Sequence, residues 1–86
     1  MSKVYVLSMT MADDYVGDES IRVFSTREKA QKVMNQRYSA ELNDYQSVYG
    51  DENISYDITE NSAYVQECGN YNRNHIDFMI KECEIE

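Results

Sequence analysis

A single stretch with helical periodicity separates two sets of strand-like segments in this sequence. When positions are stepped by about 100° per residue from Ala30, the apolar side chains of this stretch fall within one half of the helical wheel. These side chains are Val33, Met34, Tyr38, Leu42, Tyr45 and Val48. The pattern predicts one amphipathic helix that ends near residue 48.

The start of this helix carries a capping signal. Ser25 and Glu28 form a Ser-x-x-Glu pattern, in which each side chain caps the backbone amide of the other residue, so we expect the helix to begin at Thr26. Arg37 and Glu41 lie on the apolar half of the wheel. We expect them either to pair with each other at the edge of the core or to mark a place where the helix bends or ends.

Strand-like segments lie on both sides of the helix. Residues 3–9 and 21–24 are rich in β-branched and aromatic residues, and the polar residues 10–19 between them predict a connection. After the helix, strict alternation over 54–59 predicts a half-buried strand, and further strands are expected over 63–68 and 76–85. In the last of these the apolar alternation changes phase, which predicts a bulge near Lys81 and Glu82 or a frayed end.

These elements predict an α+β fold in the order ββαβββ. We expect one antiparallel sheet of about five strands with one amphipathic helix packed on a face. The chain has 86 residues, no proline and three glycines, so residues 1–86 are expected to form a single domain. No apolar run approaches the roughly 20 residues of a membrane span, and no secretory signal is recognisable. We therefore expect a cytoplasmic protein without membrane contact.

The charge is unevenly distributed along the chain. Eight basic and sixteen acidic residues give a net charge of −8, yet residues 22–37 hold five basic residues and one acidic residue. An acidic body with one modestly basic helix edge is expected. Such a surface repels phosphate backbones and suits a basic protein surface better than nucleic acid.

Few residues are available for catalysis or metal binding. Cys68 and Cys83 form no CxxC pair, so two buried free thiols are expected rather than a zinc site or a disulfide. Cys68 and His75 could face each other across a hairpin, but the chain lacks the Gly-rich, GxSxG and HExxH motifs. The acidic cluster near Gly17 does not match a calcium-binding EF-hand loop. We predict no enzymatic activity, no metal and no cofactor.

Three short segments resemble a class of small proteins from phage and prophage genomes. They are Lys3-Val4-Tyr5-Val6, the residues from Val23 to Ala30 with the pattern VFSTxEKA, and the C-terminal residues from Ile80 to Glu86. The resemblance implies a ββαβ core and an anti-CRISPR or anti-defence type of protein. It transfers no catalytic residue.

Tyrosines near carboxylates form the predicted binding site. By phase, Tyr5, Tyr38, Tyr45 and Tyr56 belong to the core, which leaves the other four tyrosines as candidates for the surface. Carboxylates and rings together can replace the phosphates and bases of a nucleic acid in a basic groove. The predicted partner-binding residues are Asp13, Asp14, Tyr15, Asp18, Glu19, Tyr49, Asp51, Glu52, Tyr64 and Tyr71.

These features predict a small acidic binding protein of phage type, which acts in the host cytoplasm. It is expected to inhibit a host nucleic-acid-handling defence enzyme by blocking its basic groove. One alternative is a sponge for a nucleotide signal that uses Arg22, Arg27, Lys29 or Arg73 on the phosphates. Another is a structural module, such as a homodimer, in which exposed sheet edges pair with each other.

Overall fold

The computed structural model describes residues 2–13, 16–68 and 74–85. Strands β1 (Ser2–Asp13) and β2 (Val16–Phe24) precede one helix, α1 (Arg27–Tyr49). A 3-10 turn (Asp51–Asn53) then leads to β3 (Ile54–Ile58), β4 (Ser62–Glu67) and β5 (Asn74–Ile85). The predicted α+β class and the element order ββαβββ are confirmed.

The five strands form one antiparallel sheet in the order β2-β1-β5-β4-β3. The strand that is last in sequence therefore lies at the centre, between β1 and β4. Its pairing with β1 runs without interruption from Ser2 opposite Ile85 to Asp13 opposite Asn74. The outer strands β2 and β3 each pair with one neighbour.

The helix is capped at both ends, although one residue later than predicted at its start. The hydroxyl of Thr26, rather than that of Ser25, accepts a hydrogen bond from the backbone amide of Lys29 at 3.3 Å. The helix continues through Arg37 and Glu41 without a break. It ends at Gly50, whose amide donates to the carbonyl of Gln46 and whose φ of 86° favours glycine.

The core lies between the helix and one face of the sheet. Its buried residues come from α1 and from the three central strands, and Met34, Val65 and Ile76 are the largest fully buried side chains. Tyr38 is buried and Tyr5 and Tyr45 are half-buried against the core, as their phase predicted. Tyr56 and Val48 are instead 39% and 72% exposed, because edge strand β3 and the last turn of the helix extend beyond the covered area.

The opposite face of the sheet has no helix above it in the described part of the chain, and we call it the open face. Side chains alternate between faces along a strand, so Val4, Val6, Ile21 and Val23 point to the open face while Leu7 points to the core. Ile21 and Val23 are 60% and 61% exposed.

Two local predictions were wrong because strand pairing overrides composition. The polar connection over 10–19 is mostly strand, since β1 and β2 pair from Tyr5 opposite Phe24 to Asp13 opposite Val16. The bulge near Lys81 and Glu82 is also absent, because the pairing of β5 with β1 is continuous through both residues. The change of phase instead moves the later apolar side chains to the open face.

Both cysteines are free, but neither is buried as predicted. Cys68 is exposed in the turn after β4, and Cys83 is partly exposed on the open face. No helix among the described residues is long and apolar enough to cross a membrane.

Candidate partner-binding surface

Carboxylates collect at one end of the molecule because several elements end or begin there. The antiparallel pairing places the last residues of β1 and β4 beside the first residues of β2, β3 and β5. The last turns of α1 lie at this same side of the molecule. We call this region the acidic end. Its carboxylates are Asp18, Glu19, Glu41, Asp44, Asp51, Glu52, Asp57, Glu67 and Asp77.

The lysines and arginines of the described residues lie elsewhere. Six of them lie at the opposite end of the strands or in the first two turns of the helix: Lys3, Arg22, Arg27, Lys29, Lys32 and Lys81. Glu28, Glu60, Glu82 and Glu84 lie at that end too, so its charge is mixed. Arg37 lies midway along the helix. The described part of the chain thus has one strongly acidic end and one mixed end.

The end of the helix strengthens the negative potential at the acidic end. The C-terminus of a helix carries a partial negative charge, and the last turn of α1 contains no basic residue that would offset it. Burial raises the pKa of the Glu41 carboxyl, Arg37 lowers it, and Asp44 raises it again. A cation placed beside Glu41 and Asp44 would therefore offset the cost of burying the Glu41 carboxylate and the repulsion between the two carboxylates.

A shallow groove runs between the last turns of α1 and the start of β5. It has a volume of about 190 Å³ and an apolar floor at Met11, and Ala12 also belongs to its lining. The rings of Tyr45 and Tyr49, whose centres are 5.5 Å apart, belong to its wall. Its remaining lining residues are Glu41, Asp44, Val48 and Asn74. We call it the acidic groove.

The arrangement of the acidic groove suits one kind of ligand group. An arginine or lysine side chain has an apolar stem and a cationic head, so the stem can cover the floor while the head meets the carboxylates. Aromatic rings beside carboxylates also favour guanidinium groups by stacking. The volume accommodates one such side chain.

The predicted site residues lie partly at the acidic end and partly away from it. Asp18 and Glu19 are exposed on opposite faces of β2, since they are consecutive in a strand. Tyr49 is half-buried in the wall of the acidic groove, and Asp51 and Glu52 are exposed in the 3-10 turn. Tyr64 is half-buried on the open face, with its hydroxyl 3.4 Å from that of Ser55.

The side chains of four predicted site residues, Asp13, Asp14, Tyr15 and Tyr71, lie outside the part of the chain that the structure describes. Asp14, Tyr15 and Tyr71 lie outside the described residues, as does Arg73 of the nucleotide alternative. The backbone of Asp13 is described as the last residue of β1, opposite Val16 and Asn74.

Asp51 is held in place by its neighbours. Its Oδ1 accepts hydrogen bonds from the Tyr56 hydroxyl and from the side-chain amide of Gln46, each at 2.9 Å. The bond to Asp51 raises the pKa of the Tyr56 hydroxyl. These bonds fix the carboxylate beside the end of the helix, which reduces the entropy lost when a partner binds it.

Sequence reasoning missed Glu41 and Asp44 as site residues. Both lie on the helix within reach of the end of β1, a proximity that depends on how the helix crosses the sheet. The available signal was their spacing of three residues, which places them on one side of a helix together with Tyr45 and Val48.

The described arginine and lysine side chains that were predicted to bind the phosphates of a nucleotide do not lie in one pocket. Arg22 lines a groove of about 100 Å³ with Arg37, smaller than the roughly 300 Å³ at which ligand pockets usually begin. We call it the arginine groove. Arg27 contacts Tyr5, Glu82 and Asn61 instead, and the Lys29 ammonium donates to the Ser25 hydroxyl at 3.4 Å.

The described residues contain no cluster of three or more His, Cys, Asp or Glu side chains that could hold a metal ion. The Cys68 and His75 pair considered from the sequence does not lie in register, because His75 is opposite Gln66. The imidazole Nε2 of His75 lies 3.7 Å from an oxygen of Asp77.

Comparison with known proteins gives one match. Residues 2–70 match the model of a family described as Domain of unknown function (DUF7336). This range covers β1, β2, the helix, β3 and β4, and stops before the central strand β5. No curated protein and no solved structure matches the sequence.

Proposed function

We propose that this chain, which belongs to the family Domain of unknown function (DUF7336), is a binding protein that docks its acidic end on a basic surface of a partner protein. The observation that carries the proposal is the acidic groove. Its apolar floor, two tyrosine rings and the carboxylates of Glu41 and Asp44 match the chemistry of an arginine or lysine side chain.

The charge layout supports a partner with many positive groups. The net charge is −8, and the described residues hold no lysine or arginine at the acidic end. Complementary potentials of this kind speed association and exclude partners of the wrong sign. The carboxylates of the 3-10 turn extend the negative surface beyond the groove, so several positive side chains can be bound together.

Nucleic-acid-binding grooves are the class of protein surface richest in such groups. We propose that the partner is a nucleic-acid-handling enzyme, of the host-defence kind, and that docking blocks access of its substrate. In this mechanism the carboxylates occupy the positions of phosphates, and Tyr45 and Tyr49 lie where bases would stack. The protein itself performs no reaction.

A pair of matched variants tests the proposal. Glu41→Gln with Asp44→Asn removes two charges from the acidic groove, whereas Glu28→Gln with Glu84→Gln removes two from the other end. Each protein is added to an arginine-rich peptide of about ten residues, and backbone amide shifts are followed by NMR. We expect shifts around the acidic groove that the first pair weakens by about tenfold and the second leaves nearly unchanged.

Binding in a cell extract tests the partner class. The tagged protein is incubated with a bacterial lysate and washed at low and then high salt. We expect the tagged protein to retain one basic protein that can be identified, and we expect salt or competing nucleic acid to release it. The variant with Glu41→Gln and Asp44→Asn should not retain this protein. Equal loss of peptide binding in both variant pairs would show a general charge effect and would refute the acidic groove as the site.

A further inference from the structure

Strand β2 is an unpartnered edge of unusual length. It pairs with β1 alone, spans nine residues, and is exposed along its whole length except at Phe24, which is partly exposed. An edge of this kind offers a row of free backbone donors and acceptors to another strand. The other edge, β3, is five residues long.

Among the described residues, the charged side chains on the helix side of β2 form no ion pair. Asp18 and Arg22 both point to this side, and neither takes part in an ion pair there. The Asp18 carboxylate accepts a bond from the adjacent amide of Glu19, and the Arg22 guanidinium lies 5.2 Å from the Phe24 ring centre. Arg37, which lines the arginine groove with Arg22, also forms no ion pair there.

We propose that the protein forms a symmetric dimer in which β2 pairs antiparallel with β2 of a second copy, with Ser20 on the two-fold axis. This register places Asp18 directly opposite Arg22 of the second copy, and Arg22 opposite Asp18. Both pairs lie on the helix side, at the mouth of the arginine groove. The two sheets then continue as one sheet of ten strands, with both helices on the same face.

The sequence of β2 distinguishes this register from its neighbours. Residues directly opposite each other point to the same face of the sheet. In a continuous sheet with both helices on one side, the helix-side residues of β2 must therefore lie opposite helix-side residues of the second copy. The next such register has Ile21 on the axis. It places Arg22 opposite Ser20 and Asp18 opposite Phe24, and it forms no ion pair. Opposite charges across strands are favourable, which selects the register centred on Ser20.

The overall charge layout supports the same arrangement. Antiparallel pairing of two β2 strands lays the acidic end of one copy beside the mixed end of the other, where the lysines and arginines lie. On the open face, the exposed Ile21 side chains of the two copies become diagonal neighbours across the junction, whereas Val23 lies opposite Gly17. The dimer therefore buries apolar surface on one face and pairs charges on the other.

Charge exchange tests the proposal. Asp18→Arg alone places two arginines opposite each other, and Arg22→Asp alone places two aspartates opposite each other. We expect either change to weaken the dimer by about tenfold or more, and the double variant with both changes to restore it. Sedimentation velocity between about 1 µM and 1 mM measures the association, and circular dichroism checks the fold of each variant.

Crosslinking tests the register. In a background with Cys68→Ser and Cys83→Ser, Ser20→Cys brings two thiols together on the axis, and mild oxidation should give a covalent dimer. Ile21→Cys is the control, since in this register its two thiols are diagonal neighbours and too far apart to bridge. Faster crosslinking of Ile21→Cys would overturn the register. A wild-type protein that remains monomeric throughout, or a dimer insensitive to both charge changes, would overturn the proposal.

Discussion

The guanidinium carbon of Arg27 lies 5.2 Å from the centre of the Tyr5 ring. Arg27 also contacts Asn61 in the turn between β3 and β4, and its Nη2 lies 3.9 Å from an oxygen of Glu82. The same oxygen accepts a bond from the Tyr5 hydroxyl at 3.2 Å. One side chain in the first turn of the helix thus connects the helix to β1, to β5 and to the turn after β3.

Arg27→Met should therefore destabilise the protein by about 1 kcal/mol, because the cation–π contact and the polar bonds are lost while the apolar stem remains. Arg27→Lys should lose most of that amount, since an ammonium cannot reach several partners at once. Denaturant unfolding measures both effects. Lys29→Met is the control in the same turn and should change the free energy of unfolding by less than about 0.5 kcal/mol.

Met34 is the central contact of the helix with the sheet and is 1% exposed. Met34→Ala should cost about 2–5 kcal/mol, because it removes buried apolar surface and leaves a cavity. Val48→Ala makes a comparable truncation at a position that is 72% exposed and should cost less than about 0.5 kcal/mol. Similar losses for the two variants in thermal or denaturant unfolding would contradict the packing described.

Gly50 ends the helix with φ of 86° and ψ of 144°, a conformation that only glycine adopts readily. A Cβ at this position would meet no atom closer than 3.6 Å, so a cost for Gly50→Ala must come from the backbone. We expect about 1–3 kcal/mol in equilibrium unfolding. Gly17→Ala in β2 is the control, because its nearest contact would be 3.8 Å away and no positive φ is required. It should be neutral or slightly stabilising.

The ionisation of Glu41 should make stability depend on pH. Its pKa is raised in the folded protein, chiefly by burial, above an ordinary value of 4.5. The folded state therefore holds this proton more tightly than the unfolded state. Stability falls as the pH rises through the window between the ordinary and the raised pKa, and stays lower above it.

Glu41→Gln removes this penalty. We expect the variant to be more stable than the wild type at about pH 8, by less than about 1 kcal/mol because the carboxyl is partly exposed. The difference should shrink as the pH is lowered towards 5. Glu28→Gln should act in the opposite direction at neutral pH, since a carboxylate in the first turn stabilises the helix. Thermal unfolding at several pH values distinguishes the two.

The fold was predictable because its signals are local. Periodicity in the helix and alternation in the strand from Ile54 to Ile58 identify element type without knowledge of partners. The extent of β1 and β2 was not predictable, because residues 10–13 and 16–20 become strand only through pairing with each other across the hairpin. The continuity of β5 was missed for the same reason. Cys83 and Ile85 are out of phase only under the assumption that every apolar side chain of β5 lies on the same face of the sheet.

The candidate site was predictable only in part. Asp51 and Glu52 follow the helix directly, so their position near its end is a local matter. Glu41 and Asp44 become site residues because the helix ends over β1, and the sequence does not specify how a helix crosses a sheet. The proposed pairing of Asp18 with Arg22 of a second copy depends on which strand forms the edge, and strand order is set by contacts between distant residues.

The central place of β5 has a consequence for how the protein is made. As the chain emerges from a ribosome, β1 with β2 and β3 with β4 can each close as a hairpin, but in the described part of the chain neither strand of one hairpin pairs with a strand of the other. The sheet becomes one unit only when β5 inserts between them, so both hairpins must wait with unpaired inner edges. During that interval a nascent chain is most exposed to mispairing with another copy, and a holding chaperone would have its greatest effect.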